Sequence, residues 1–348
     1  MNPRTITILA LLAAGALALA GLATLMGRSR GGDGRDALLL PELGARINHA
    51  AAVSVRQGDH AVTLTRAGEG WTVAELDGYP AKFESVKPLI LSLAEARTGE
   101  RKTSRPDLYP RIAVQDPGPG SPSVGVTITD ASGAPIASVI LGNTTTAGSA
   151  NSRFLRPAGD AQSWLVVGSF DAPTDPLAWV DREIIRLGPE LVAFVRTELE
   201  GDTLTVAKGP GGSLTVEGLP DDREPRVASE LQRIVGALSD LTLAGVAAHP
   251  STEVPVDAGA RTTVFARTDG VALSVRSWSE GEKRWITLSS SLPAGSEVSQ
   301  DARLQHEDYT KRFSGWRFAL EESRFDALRP SPDALSRPRD AEGPPEPK

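Results

Sequence analysis

The sequence predicts an α+β protein: two tandem repeated modules, each an antiparallel sheet with one covering helix, behind an N-terminal transmembrane helix. Three observations predict this. Residues Ile6 to Met26 run for 21 positions without a charge. Short stretches of alternating apolar residues recur along the rest of the chain, the period-two signature of half-buried strands. One stripe at helical spacing in each half, Val86-Ile90-Leu93 and Val227-Leu231-Ile234, repeats at an offset of 141 residues at all three positions.

The apolar run, ITILALLAAGALALAGLATLM, would be about 32 Å long as a helix, enough to cross the hydrocarbon core of a bilayer. Ala18-Leu19-Ala20 supplies a small-x-small site at which a secretory signal could be cleaved. The run continues past that point to Met26, which suits an uncleaved signal-anchor better. A lipoprotein signal needs a cysteine, and the chain has none. Ala13, Ala14, Gly15, Ala16, Ala18, Ala20 and Gly21 make the segment rich in small residues, which permit close helix packing in lipid. We therefore read residues 1–27 as anchor and 28–44, opened by the Gly-rich, charged stretch Arg28 to Asp36, as a flexible tether.

The first module is read at 45–175. Val53 and Val55, then Val62 and Leu64 across the polar turn Gln57-Gly58-Asp59-His60, then Gly70-Trp71-Thr72-Val73, describe a strand meander. The period then changes, and Val86, Ile90, Leu93 and Ala94 mark one face of a helix over roughly Lys82 to Arg97. Pro88 fits only in a first turn, so a later start is expected. Strands follow at Val124 to Thr129, Ile136 to Leu141, Arg153 to Arg156 and Trp164 to Val167. Residues 176–187 are read as a short helix or bridge between the modules.

The second module, 188–329, has the same order. Val192 and Val195, Leu204 and Val206, and Ser213 to Val216 are its meander. Its helix carries Val227, Leu231, Ile234, Val235 and Leu238, with Asp222 as the expected cap. Strands follow at Thr262 to Arg267, Val271 to Trp278 and Arg284 to Leu288, with Asp269-Gly270 as a hairpin turn. Residues 330–348 hold 6 prolines in 19 positions and are read as a disordered tail.

Composition narrows the chemistry. A net charge of −7 and a pI near 5.3 argue against a nucleic-acid binder, which shows a basic footprint. Zero cysteines remove disulfides, thiol nucleophiles and thiolate metal sites. His49, His60, His249 and His306 never fall at i, i+3 or i+4 spacing, so no helical zinc pair exists. No Gly-x-Ser-x-Gly elbow and no phosphate loop occurs, and Gly31-Gly32-Asp33-Gly34 follows no strand. Asp221-Asp222 is read as a helix N-terminus, where acids suit the dipole. The basic cluster Arg97, Arg101, Lys102 and Arg105 is read as a solvated helix end. The six tryptophans lie mostly in strand patterns, where core packing is the default. No catalytic, cofactor-binding or metal-ligating set emerges, and no cofactor is called for.

The landmarks in order are the apolar N-terminal segment, Trp71-Thr72-Val73, Tyr79-Pro80-Ala81, Leu141-Gly142 with Arg153-Phe154-Leu155-Arg156, Asp181-Arg182-Glu183-Ile184-Ile185, and Gly315-Trp316-Arg317-Phe318 before Leu328. Over residues 45 to 330 the chain resembles a family of bacterial membrane-anchored proteins with a domain of unknown function, often encoded beside ABC transporters of the gliding-motility type. That family often has an acid after the Pro-Ala pair, and here the residue is Lys82. The resemblance implies no catalytic residues. It implies a non-enzymatic accessory subunit of an ABC-type transporter, held in the bilayer through residues 6–26. It also favours a single-pass inner-membrane protein with an extracytoplasmic soluble part. The charge count alone leans the other way, with Arg28, Arg30 and Arg35 after the segment against Arg4 before it, but long domains translocate largely regardless of charge. Two alternatives stay open: an extracytoplasmic glycan- or peptide-binding module acting without a transporter, and a hydrolase with a carboxylate pair.

Overall fold

The computed structural model describes residues 36–146, 151–198, 203–226, 228–249, 259–293 and 298–339. The predicted span 6–26, residues 28–35 of the tether and Val227 lie outside the described residues. Among the described residues, no helix is long and apolar enough to cross a membrane.

The architecture is α+β, with two large antiparallel sheets and minor helices. The first sheet contains β1 (Ala52–Gln57), β2 (His60–Ala67), β3 (Gly70–Val73), β4 (Tyr79–Pro80), β5 (Glu100–Arg101), β6 (Val124–Thr129), β7 (Pro135–Thr145), β8 (Ser152–Pro157) and β9 (Trp164–Val167). Their spatial order is β4-β3-β2-β1-β6-β7-β8-β9-β5. Alternation decides which face is buried: Val53, Val55, Val62, Leu64, Val126 and Ile128 are all almost fully buried, and Val53 opposes Leu64 on one side and Ile128 on the other. Helices α1 (Pro41–Arg46), α2 (Phe83–Ala94) and α3 (Tyr109–Ile112) accompany this sheet, α1 packing on β7 and on α2.

In α2 the predicted stripe is the buried face, Val86, Leu89, Ile90 and Leu93. Pro88, however, is interior, because the helix starts at Phe83 rather than later. Pro88 stands on the exposed face, where water can take up the carbonyl that the missing N–H leaves unpaired.

The second sheet belongs to the second half of the chain. In order come β10 (Glu183–Ile185), β11 (Val192–Glu198), β12 (Thr203–Lys208), β13 (Leu214–Glu217), β14 (Arg223–Pro225), α4 (Ala228–Val235), β15 (Leu241–Thr242), β16 (Gly245–Ala248), β17 (Arg261–Arg267), β18 (Ala272–Glu280), β19 (Lys283–Ser291), α5 (Gln300–Phe313), β20 (Trp316–Ala319), α6 (Glu322–Ala327), α7 (Pro332–Leu335) and β21 (Ser336–Pro338). The eight-stranded order is β13-β12-β11-β17-β18-β19-β20-β16, while β10-β15 and β14-β21 form small ribbons. Helix α4 packs on β11 and β13 through Leu231, Ile234 and Val235. At Asp269-Gly270 the expected hairpin turn is present: Gly270 takes φ 92°, and Asp269 Oδ1 accepts from Val271 N at 3.2 Å.

Both large sheets run three meander strands, a helix, one strand sent to the far edge, then four more strands. Apart from β4, the two orders correspond strand for strand, with β5 and β16 in the same edge position. The chain divides into two compact units: residues up to Trp71 with Phe83–Asp175, and Thr72–Lys82 with the residues from Pro176 onward.

The short helix or bridge read at 176–187 is a 3-10 turn, Pro176–Trp179, followed by strand β10. Three local expectations are corrected. Asp222 is no helix cap: it lies in a turn before β14, and α4 begins only at Ala228. Residues 36–44 of the predicted tether are no flexible linker: Leu39, Leu40 and Leu43 are buried, and Leu39 N donates to Ala96 O at 2.7 Å. The tail is ordered as far as Arg339, because β21 pairs with β14 and Arg223 donates to Asp333 at 2.6 Å and to Ser336 Oγ at 2.7 Å. Residues 340–348 lie outside the described residues.

Candidate functional site

Three of the stretches singled out in the sequence meet in the second unit: Tyr79-Pro80-Ala81, Asp181 to Ile185, and Gly315 to Phe318. Local geometry brings each one there. Asp77 (φ 54°) and Gly78 (φ 81°) turn the chain in the left-handed region, so that Tyr79 pairs back on Val73. Only glycine adopts that conformation without steric cost, and Asp is among the few others that tolerate it. Asp77 Oδ2 also accepts from Ala248 N at 3.0 Å, and Lys82 N donates to Trp179 O at 2.7 Å. Gly315 (φ 83°) makes the corresponding turn between α5 and β20, its carbonyl accepting from His249 N at 2.7 Å.

The aromatic rings then lock edge to face. Tyr79 meets Trp316 at 4.9 Å and 85° and Phe318 at 6.3 Å and 87°, the arrangement ring quadrupoles prefer. Around them opens a cleft of about 500 Å³. It carries three carboxylates, Asp181, Glu183 and Asp308, and three cations, Lys82, Lys311 and Arg312. Arg312 donates to Glu183 O at 2.6 Å and lies 3.9 Å from Asp181 Oδ2. Burial raises the Tyr79 phenol pKa above its ordinary value; Arg312 opposes that shift and Asp181 adds to it. The phenol therefore stays protonated. The cleft is balanced in charge and suited to recognising a partly charged surface.

Trp316 also lines a second cavity, of about 560 Å³. The outer faces of β17, β18 and β19 form its floor, and α5, which packs on β19, forms a wall. His249 sits at its rim, 5.7 Å from the ring of Trp278. Burial, then the charges of Arg317 and Arg276, hold the His249 pKa below its usual value.

The remaining sequence candidates fall elsewhere. His49 and His60 are exposed, and His306 Nδ1 is 2.9 Å from Ser290 Oγ. Among the described residues no three His, Asp or Glu side chains are grouped so as to hold a metal ion. The basic cluster after α2 is occupied locally: Lys102 pairs with Glu100 at 2.8 Å, Arg105 with Asp107 at 2.6 Å, and Arg101 donates to Gln162 at 3.1 Å. Trp71, Trp179, Trp278 and Trp285 are buried, whereas Trp164 and Trp316 are half-buried.

Sequence reasoning missed α5, which supplies Asp308, Lys311 and Arg312. Its composition is polar nearly all round, and only Ala302, Tyr309 and Phe313 are buried. The available signal was local. Ser299 caps the helix by accepting from Ala302 N at 3.2 Å, and Tyr309 and Phe313 stack one turn apart, which is the i, i+4 pairing of a helix face.

The family model DUF4340, a domain of unknown function, matches residues 71–261. The match includes Tyr79 to Lys82, Asp181 and Glu183, and ends before α5 and Trp316. No curated protein and no solved structure matches the chain.

Proposed function

The chain belongs to the DUF4340 family, and from that premise we propose that it is a non-enzymatic, membrane-anchored envelope protein that serves an ABC-type transporter as an accessory subunit. The observation that carries this reading is the meeting of Tyr79-Pro80-Ala81, Asp181 to Glu183 and Trp316 in one surface cleft of the second unit. More than 200 residues separate the outermost of them in sequence. The cleft is lined by three acids and three bases around a tyrosine and a tryptophan, a composition that suits docking of a partner's charged surface. Residues 6–26 anchor the chain in the inner membrane and the two units work outside it. One hydrophobic helix cannot form a transport path, so the transporter is a separate protein. The shared strand order of the two sheets, with the 141-residue offset of their helices, supports descent from one duplicated module.

The test is a pull-down of the full-length tagged protein from gently solubilised membranes. Recovery of a permease or its ATPase is expected. Recovery of the protein alone, in several detergents and after crosslinking, would overturn the proposal.

A further inference from the structure

In the cleft beside Tyr79 and Trp316 some polar groups are already engaged and others are left over. Tyr79 is only 8% exposed, yet among the described residues its hydroxyl takes no hydrogen-bond partner. Most buried polar groups in folded proteins are paired. The Tyr79 hydroxyl is also not sealed in, unlike the unpartnered indole nitrogens of Trp278 and Trp285. It opens into the cleft that the residue lines, so an atom from outside can complete it.

The charged side chains of the cleft divide in the same way. Glu183 Oε2 meets Arg186 at 2.6 Å. Arg312 donates to Glu183 O and lies 3.9 Å from Asp181 Oδ2, while Asp181 Oδ1 accepts from Glu183 N at 3.0 Å. Lys82, after β4, and Asp308 and Lys311, one turn apart on α5, make no side-chain ion pair or hydrogen bond among the described residues. Two free ammonium groups against one free carboxylate leave the cleft short of negative charge.

The phenol is protonated and therefore a donor here, and a carboxylate is the acceptor that gains most from it. The rings of Tyr79 and Trp316 lower the local polarity, which strengthens such a bond. The same anion would be drawn in by Lys82 and Lys311. A flat anionic bilayer fits less well. Asp181 and Asp308 are exposed and repel it, whereas one side chain can pass between them to the recessed phenol.

Resting on the docking reading above, we propose that the partner inserts an acidic segment into this cleft, with a carboxylate accepting from the Tyr79 hydroxyl between Lys82 and Lys311.

The test is calorimetric titration of the full-length chain, in phosphatidylcholine nanodiscs, with capped pentapeptides of sequence GEAEG, GQAQG and GKAKG. GEAEG should bind at least tenfold more tightly than either of the others. Tyr79→Phe should weaken it about tenfold, through loss of one bond to a charged acceptor. The double variant Lys82→Gln, Lys311→Gln should remove the preference for GEAEG over GQAQG, and Asp308→Asn should strengthen GEAEG binding. Arg56→Gln in the first unit should change nothing. No binding of GEAEG would overturn the proposal. So would GKAKG binding as tightly, unchanged affinity in the double lysine variant, or displacement of GEAEG by phosphatidylglycerol vesicles. The membrane pull-down separates this inference from the docking reading. A permease recovered equally by the parent and the double lysine variant would overturn the acidic segment and keep the docking. Selective GEAEG binding with no permease recovered would overturn the docking and support a cleft that takes acidic segments of another protein.

Discussion

Arg156 on β8 gives the most quantitative prediction about the first unit. Its side chain is only 6% exposed. Nε donates to Val114 O at 2.8 Å, one terminal nitrogen donates to Asp160 O at 2.7 Å, and the guanidinium lies 4.7 Å from the centre of the Tyr109 ring. The other terminal nitrogen meets Asp116, whose carboxylate is 81% exposed, so solvent screens that pair and it adds little. A hydrogen bond from a charged donor is worth about 1.5–3 kcal/mol net. Arg156→Met removes two such bonds to carbonyls and leaves both without this donor, which predicts a loss of roughly 3–5 kcal/mol. Arg156→Lys keeps the charge but reaches only one acceptor with a single ammonium, so about half that loss is expected. Native-state hydrogen exchange at the amides of β6, β7 and β8 reads the first unit separately from the second. If Arg156→Met left those amides within about 0.5 kcal/mol of the parent, as surface substitutions usually do, the guanidinium would not be the tie described here.

Other outcomes can be checked on the same protein. Leu93→Asp and Ile234→Asp should each unfold the unit that carries it, as seen by denaturant titration, because both positions are almost fully buried and a lone buried carboxylate is costly; Leu91→Asp, on the exposed side of α2, should cost little. Gly142→Ala should destabilise the first unit by about 1–3 kcal/mol, because a Cβ there would meet Ile112 O at 2.2 Å and Val114 Cγ1 at 2.7 Å; wild-type exchange rates in the variant would refute the close approach. His249 should titrate below 6.5 by NMR, and Arg317→Gln should raise its midpoint. Because the folded state disfavours the imidazolium, the unfolded chain takes up that proton first. The histidine's contribution to stability is therefore intact above pH 6.5 and is lost as pH falls through its lower folded midpoint.

Much of the fold was legible because one-sided sheets write their burial into the sequence. β6, VGVTIT, alternates buried and half-buried residues along its whole length, and the helical stripe around Leu93 is equally plain. The edge strands were not legible. β5 is two exposed residues, Glu100 and Arg101, with no room for a period, and it is recruited by β9 through tertiary pairing. Asp222 misled because acids before a helical stripe usually cap it, whereas here Arg223–Pro225 first pair with Ser336–Pro338. That pairing also orders a proline-rich stretch whose composition reads as tail. Half of the candidate cleft was visible as the stretches at Tyr79, Asp181 and Trp316. The other half, Asp308, Lys311 and Arg312, rides on a helix that buries only Ala302, Tyr309 and Phe313, too few residues to mark a hydrophobic face.

In the proposed function the cleft beside Tyr79 and Trp316 docks a membrane transporter. Photocrosslinking in living cells tests that docking. A photoreactive residue replaces exposed Asp308, and in a separate strain exposed Glu69 of the first unit. The account predicts that position 308 crosslinks to a permease or its associated subunit, that position 69 does not, and that Lys82→Glu weakens the product at 308. Equal labelling from both positions, or no membrane-protein product from 308, would contradict it.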